Sequence, residues 1–305
     1  MVNVAPAPVL VGIDGSEDAL RAVDLGVDEA LRRHRRLALL HAWTWPLVPV
    51  PAVTYDVNPA QDTMRVAAEN IMESARARAE ERARAAGAEN LEVETRIIGD
   101  VAAHALIEAS REAAMVVLGT RGLGGFAAML LGSVGIHVAA HASSPVIVVR
   151  GEHRPGEGPV LVGVDGSPGA RSALEFAFEE ASLRRVPVTA VHVWNSPVIE
   201  GLGVVLPIPY ELSDVASQAE RLLAEQLAGW QEKYPDVPVT QRVEHGSVPS
   251  TLLEASQDAG LVVVGSRGLG GFRGLLLGSV SQAVLHHATC PVAIVHPTQD
   301  APGTR

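Results

Sequence analysis

The chain is written twice. The segment VLVGIDGS, Val9 to Ser16, returns as VLVGVDGS, Val160 to Ser167, with seven of eight residues identical at an offset of 151. His41, Ala42 and Trp43 return at the same offset as His192, Val193 and Trp194. Residues 119–149 align without a gap to 265–295 at an offset of 146, with 18 of 31 identical. Solenoid repeats are far shorter, roughly 20–45 residues, and each copy here is long enough to bury an α/β core of its own. The expectation is two tandem domains, residues 1–150 and 159–305. The polar, Gly- and Pro-rich run RGEHRPGEG, Arg150 to Gly158, places the linker at 151–158.

Within a copy, strand and helix patterns alternate. Residues 8–14 form a short apolar run ending in Asp-Gly-Ser, and Ser16 and Ser167 stand where helix N-caps belong. A second strand is expected at 37–43, then a proline-rich loop from Trp45 to Pro59 and a helix over 60–86. A strand at 91–97, a helix opened by Asp100 and a strand at 114–119 follow. A glycine loop, a helix from Ser133 and a strand at 145–149 complete the copy, and copy two is expected to repeat this order. Apolar runs on strands one, four and five imply burial on both faces, hence parallel strands between helix layers.

Composition narrows the partners. A net charge of −11 argues against nucleic acid or an anionic membrane, since both reward a basic face. The basic run from Arg32 to Arg36 suits the negative end of a first helix. Lys233 is the single lysine among 24 Lys and Arg residues, and it lies far from any glycine loop. A Walker P-loop or protein-kinase site, which sets a lysine on the phosphates, is thereby excluded. Cys290 stands alone, so no internal disulfide or thiolate cluster can form, and a cytoplasmic setting fits. The N-terminus lacks the pattern of a signal peptide. The stretch from Gly122 to Val149 carries no formal charge, but glycines, Ser133, Ser143, Ser144, Pro145, His137 and His141 interrupt it. It reads as loop, helix, turn and strand rather than a membrane span. Residues 1–7 and 297–305 are expected to be disordered.

The chemistry is carried by one spacing. Gly119, Gly122, Gly132 and Ser133 form G-x2-G-x9-G-S, and Gly265, Gly268, Gly278 and Ser279 repeat it. Gly119 and Gly122 let the backbone leave a strand tightly and approach a ligand that a Cβ would block. Gly132 and Ser133 open a helix whose free N–H groups and positive dipole end favour an anion. The alternative, a punctuated loop with Ser133 as a plain helix cap, weakens when the spacing occurs twice.

Asp14 and Asp165 end strand one, and ligands of open α/β sheets collect at the carboxyl ends of strands where chain order reverses. A carboxylate there accepts ribose hydroxyls or holds the water shell of Mg²⁺; the bland alternative is a surface aspartate in an Asp-Gly turn. His41 and His192 read as structural residues at the end of strand two, and Trp43 and Trp194 as packing residues. His141, His286 and His287 lack the partners of a metal site.

The glycine loop, the strand-one aspartate and the strand-two His-Ala/Val pair resemble the universal stress protein family in its tandem, ATP-binding form, over nearly the whole chain. That resemblance implies two Rossmann-like domains, each a five-stranded parallel sheet in order 3-2-1-4-5, with ATP and Mg²⁺ in each. Carried over, base and ribose would meet Gly12, Asp14, Ala42 and Leu118 in copy one, and ribose and phosphates would meet Gly119, Gly122, Gly132, Ser133 and Val134. Copy two would supply Gly163, Asp165, Val193, Val264, Gly265, Gly268, Gly278, Ser279, Val280 and Ser281. One departure separates the copies: Ser281 in the first helical turn of copy two is Gly135 in copy one. A phosphate bond from Ser281 would make copy two the tighter site. The implied role is an ATP-binding regulator of stress or dormancy, with an unidentified protein partner and a homodimer expected; the apolar edge strand five is expected to join the two copies, or two chains. Slow ATP hydrolysis or phosphotransfer, and a structural module with vestigial cradles, are the competing readings.

Overall fold

The computed structural model describes residues 6–44, 58–120, 122, 131–150, 158–195, 212–270 and 276–297. The chain divides into two compact units between His153 and Arg154. The loop from Trp45, apart from Asn58 and Pro59, most of the linker, most of both termini and the middle of each glycine loop lie outside the described residues.

Copy one runs β1 (Val9–Ile13), α1 (Glu17–Arg32), β2 (Leu37–Ala42), α2 (Asn58–Ala85), β3 (Val93–Ile98), α3 (Ala102–Ala109), β4 (Met115–Gly119), α4 (Ser133–His141) and β5 (Val146–Val149). Strand β1 pairs in parallel with β2, Val9 opposite Leu37, and with β4, Val9 opposite Met115. β3 joins β2 and β5 joins β4, both parallel. The order is therefore 3-2-1-4-5, and the chain reverses direction across the sheet between β1 and β4.

Copy two runs β6 (Val160–Gly163), α5 (Pro168–Arg184), β7 (Val188–Trp194), α6 (Leu212–Leu227), α7 (Trp230–Lys233), β8 (Val239–His245), α8 (Val248–Ala255), β9 (Leu261–Gly265), α9 (Ser279–His287) and β10 (Val292–Val295). Its pairings, β8 on β7, β7 on β6, β6 on β9 and β9 on β10, are parallel and give the same order. Each unit is thus a doubly wound α/β domain.

The local chemistry explains the helix starts. Ser16 caps α1 by accepting the Ala19 N–H at 3.2 Å, and Ser167 caps α5 by accepting the Ala170 N–H at 3.1 Å. Pro168 fits the first turn of α5 because no N–H is needed there. Burial of β1, β4 and the inner face of α1 is close to complete: Val9, Val11, Val116, Val117, Ala22 and Leu25 are fully enclosed. The basic run closes α1 through ion pairs, Arg32 and Arg33 both binding the buried Glu29.

Two expectations need correction. Asp100 does not open α3; Val101 is the residue before the helix, and Asp100 lies one place earlier, accepting the Val101 N–H and bonding the His104 ring. Copy two also departs from copy one by the added turn α7, split from α6 around Gly229, whose φ of +83° no ordinary residue holds cheaply. The two copies consequently hold their long helices differently. Arg78 and Arg82 fork onto Asp24 and Asp28 between α1 and α2 at 2.7–2.9 Å. In copy two Phe178 of α5 stacks on Trp230 and Tyr234 at 5.7 and 5.8 Å. No described helix is long and apolar enough to cross a membrane.

Candidate nucleotide cradle

The switch point between strands one and four carries the site in both copies. Asp14 follows β1 and Asp165 stands two residues past β6, each ahead of a glycine with positive φ, +87° at Gly15 and +79° at Gly166. That turn lets the aspartate fold onto its own helix start. Asp14 Oδ1 accepts the Ser16 N–H and hydroxyl at 3.0 and 2.7 Å, and Asp165 Oδ1 accepts the Ser167 N–H at 2.9 Å. The strand-two histidines brace the same corner. His41 Nδ1 lies 2.8 Å from the Ile13 carbonyl and His192 Nδ1 2.7 Å from the Val164 carbonyl, next to each aspartate. The structural role read for them from sequence fits this placement.

Asp165 also reaches across to the glycine loop: its Oδ2 accepts the Leu269 N–H at 3.0 Å. This explains the second glycine of the motif. A Cβ at Gly122 or Gly268 would fall on the Asp14 or Asp165 carboxylate. The first glycine answers to a different neighbour than the ligand expected from sequence. A Cβ on Gly119 would meet the Asp18 carbonyl carbon of α1 at 2.5 Å, and one on Gly265 would meet the Gly169 carbonyl carbon of α5 at 2.8 Å. The first two motif glycines of each copy are required because the chain there is wedged between an aspartate and a helix backbone.

The loop then closes on itself. The Gly132 N–H donates to the Thr120 carbonyl at 2.9 Å, and the Gly278 N–H to the Ser266 carbonyl at 2.8 Å. Gly132 and Gly278 are the N-cap residues of α4 and α9, and neither helix has a side-chain cap. The N–H groups of Ser133, Val134 and Gly135, and of Ser279, Val280 and Ser281, therefore begin these helices with no serine or aspartate side chain bonded to them, which suits an anion.

In copy two these pieces enclose a cavity of about 440 Å³, within the range of small-molecule sites, about 300–1,000 Å³. All ten residues expected there line it: Gly163, Asp165, Val193, Val264, Gly265, Gly268, Gly278, Ser279, Val280 and Ser281. One wall is apolar, from Val164, Val191, Val193, Val248, Leu252 and Val264. The other is glycine backbone, Asp165 and the start of α9. In copy one, Gly12 and Asp14 sit at the end of β1, Ala42 at the end of β2, and Leu118 and Gly119 at the end of β4. Gly122, Gly132, Ser133 and Val134 complete that corner, and the missing Cβ of Gly12 leaves room for Leu118 and Leu106.

Sequence reasoning missed Val248 and Leu252, which come from α8. No motif marks them; only the fold brings α8 over the strand ends. The Ser281 hydroxyl also differs from expectation. It donates to the Gly265 carbonyl at 2.7 Å instead of standing free for a phosphate. No cluster of three or more His, Cys, Asp or Glu residues able to hold a metal occurs among the described residues.

The profile of the universal stress protein family matches residues 7–150 and 158–296. The chain belongs to the universal stress protein family. A universal stress protein of Mycolicibacterium smegmatis is 40% identical over 303 residues, covering 95% of this chain and 97% of its own. One from Mycobacterium tuberculosis is 40% identical over 297 residues, covering 94% and 96%. Both therefore share the tandem length. A universal stress protein from Archaeoglobus fulgidus superposes with a TM-score of 0.68 over 96% of this chain and 97% of its own, at 21% identity, which shows the shared fold.

Proposed function

We propose that this universal stress protein binds ATP in its glycine cradles and acts as a cytoplasmic regulator of stress or dormancy, its occupancy controlling its conformation and its contacts with a protein partner. The observation that carries the reading is the copy-two cavity, in which an apolar wall for a base faces an uncapped helix start for phosphates. Asp165, which lines the same cavity, is the carboxylate available there to accept ribose hydroxyls.

The residues also suit Mg²⁺ arriving with the nucleotide. Magnesium keeps most of its shell as water and phosphate and takes one or two protein carboxylates; Asp165 offers one, each oxygen already accepting a single N–H. When bound, the ion would neutralise phosphate charge. The chain's own part is to hold the nucleotide: Asp165 anchors the loop, and the α9 N–H groups meet the phosphates. The reading includes a homodimer as the working assembly.

Binding rather than catalysis is favoured because, among the described residues, the cavity lining includes no lysine and no histidine. Equilibrium dialysis with ATP, followed by analysis of the retained nucleotide, tests the proposal. Retention of intact ATP is the expected result. Absence of retention, or steady release of phosphate at enzyme-like rates of about 1–10 per second, overturns it.

A further inference from the structure

Among the described residues that line the copy-two cavity, Asp165 is the one anion and Arg267 the one cation. Their situations differ. Asp165 is bonded to the chain around it, its two oxygens accepting the Ser167 and Leu269 N–H groups at 2.9 and 3.0 Å. Arg267 is exposed, and among the described residues no acidic side chain pairs with its guanidinium. Other arginines of the same copy are paired: Arg184 bonds Glu180 and Arg242 bonds Glu244.

The backbone fixes where that side chain begins. A Cβ on Gly169 would meet the Arg267 carbonyl at 2.7 Å, and a Cβ on Gly278 would meet the Arg267 Cα at 3.4 Å. Gly169 lies in the first turn of α5, and Gly278 is the N-cap residue of α9. Arg267 is therefore held between two helix starts, its Cα packed against the one that lacks a side-chain cap. Its neighbours are anchored as well. The Ser266 carbonyl accepts the Gly278 N–H at 2.8 Å, and Gly268 rests on the Asp165 carboxylate.

We propose that Arg267 is a specificity-determining residue of the copy-two cradle: it binds the phosphate chain beside the α9 N–H groups and sets the preference for a nucleoside polyphosphate over the bare nucleoside. The inference rests on the nucleotide-binding reading above and adds the side chain that reads phosphate charge. A guanidinium stays charged at any physiological pH, and its planar fork of N–H donors matches phosphate oxygens. A helix start and a guanidinium side by side repel each other mildly, and one anion relieves both. Two anion-binding groups rooted at one spot suit a chain of phosphates. Arg121 holds the same motif position in copy one and lies outside the described residues.

The test uses the full chain with copy one blocked by Gly122→Val, which drives a side chain onto Asp14. Calorimetry compares ATP with adenosine in the absence of magnesium, so that the ion does not stand in for the guanidinium. Arg267→Gln should weaken ATP binding about tenfold and leave adenosine affinity where it was. Arg267→Lys keeps the charge but loses the fork, and should recover part of the loss. Ligand-free melting temperatures should agree among the three proteins, because the side chain is exposed. With copy one left intact, Arg267→Gln should weaken one of two ATP-binding events, an independent reading should the valine disturb its own loop. ATP affinity unmoved by Arg267→Gln, or adenosine weakened in step with ATP, overturns the arginine's role and leaves the nucleotide reading standing. Failure of the unaltered chain to bind either ligand overturns both.

Discussion

Ser281 gives its hydroxyl proton to the carbonyl of Gly265, 2.7 Å away, tying the first turn of α9 to the end of β9. The side chain is 3% exposed, and a weaker contact of 3.3 Å runs to the Ser266 carbonyl. A helix-to-strand tie of this kind orders the glycine loop before any ligand arrives, and such ordering lowers the entropy lost on binding. Gly135 cannot make the bond in copy one.

Loss of this tie should therefore weaken copy two. Removing one neutral hydrogen bond costs about 0.5–1.5 kcal/mol, so Ser281→Ala should reduce ATP affinity roughly two- to tenfold, while Ser281→Thr retains it. Calorimetric titration of the three proteins checks this, with thermal melts to separate a loose loop from a lost fold. Equal affinities would leave the bond without a binding role.

The aspartate anchors should matter more. Asp165 binds the Ser167 and Leu269 N–H groups from its two oxygens, so Asp165→Ala frees the loop and removes the charged acceptor together. Bonds to charged groups contribute about 1.5–3 kcal/mol, or roughly ten- to a hundredfold in affinity. The same loss is expected for Asp14→Ala, measured in a protein whose copy-two cradle is blocked.

Histidine 104 supplies a pH reporter. Its hydrogen bond to Asp100, 2.6 Å long, raises its pKa above the usual imidazole value, and the same bond lowers that of Asp100. The raised imidazole contributes below its unfolded pKa of about 6.5 and loses its contribution as pH rises through the folded value. The lowered carboxylate contributes above its unfolded pKa and loses its contribution as pH falls through the folded value. The pair therefore acts between those limits. Proton NMR should find the His104 midpoint above 6.5, and Asp100→Asn should return it toward that value.

Burial pushes the Cys290 thiol up to about 11. Little thiolate exists at neutral pH, and thiolate is the reactive form. A disulfide reagent should leave the native protein unlabelled and modify one thiol after unfolding, followed by absorbance. Rapid labelling of the native chain would contradict the packing around β10.

The repeat and the apolar runs made the sheet legible, because doubly buried parallel strands leave continuous hydrophobic stretches and the glycine motif recurs at fixed spacing. The copy-two site residues were legible for the same reason: Asp165, Gly268 and Ser279 sit at strand ends and helix starts that sequence can mark. Less legible was what each residue touches. Gly119 answers to the backbone of α1, Gly268 to Asp165, and Ser281 to Gly265, and each partner lies between 16 and 103 residues away. Local spacing carries no trace of such contacts. The turn α7 escaped because the repeat argued that copy two would follow copy one: a glycine with positive φ stands two residues past the long helix in both copies, Gly87 and Gly229, and only in copy two does a further helical turn follow it. Asp100 misled because an acid ahead of a helix looks alike one residue before the cap or at it.

The central claim, that the glycine cradles are the nucleotide sites, is met most directly by native mass spectrometry of the chain titrated with ATP, beside the Gly122→Val and Gly268→Val double variant. The account predicts bound ATP on the unaltered chain, one molecule at low concentration and two at higher, and none on the folded double variant. ATP retained undiminished by the double variant would contradict it.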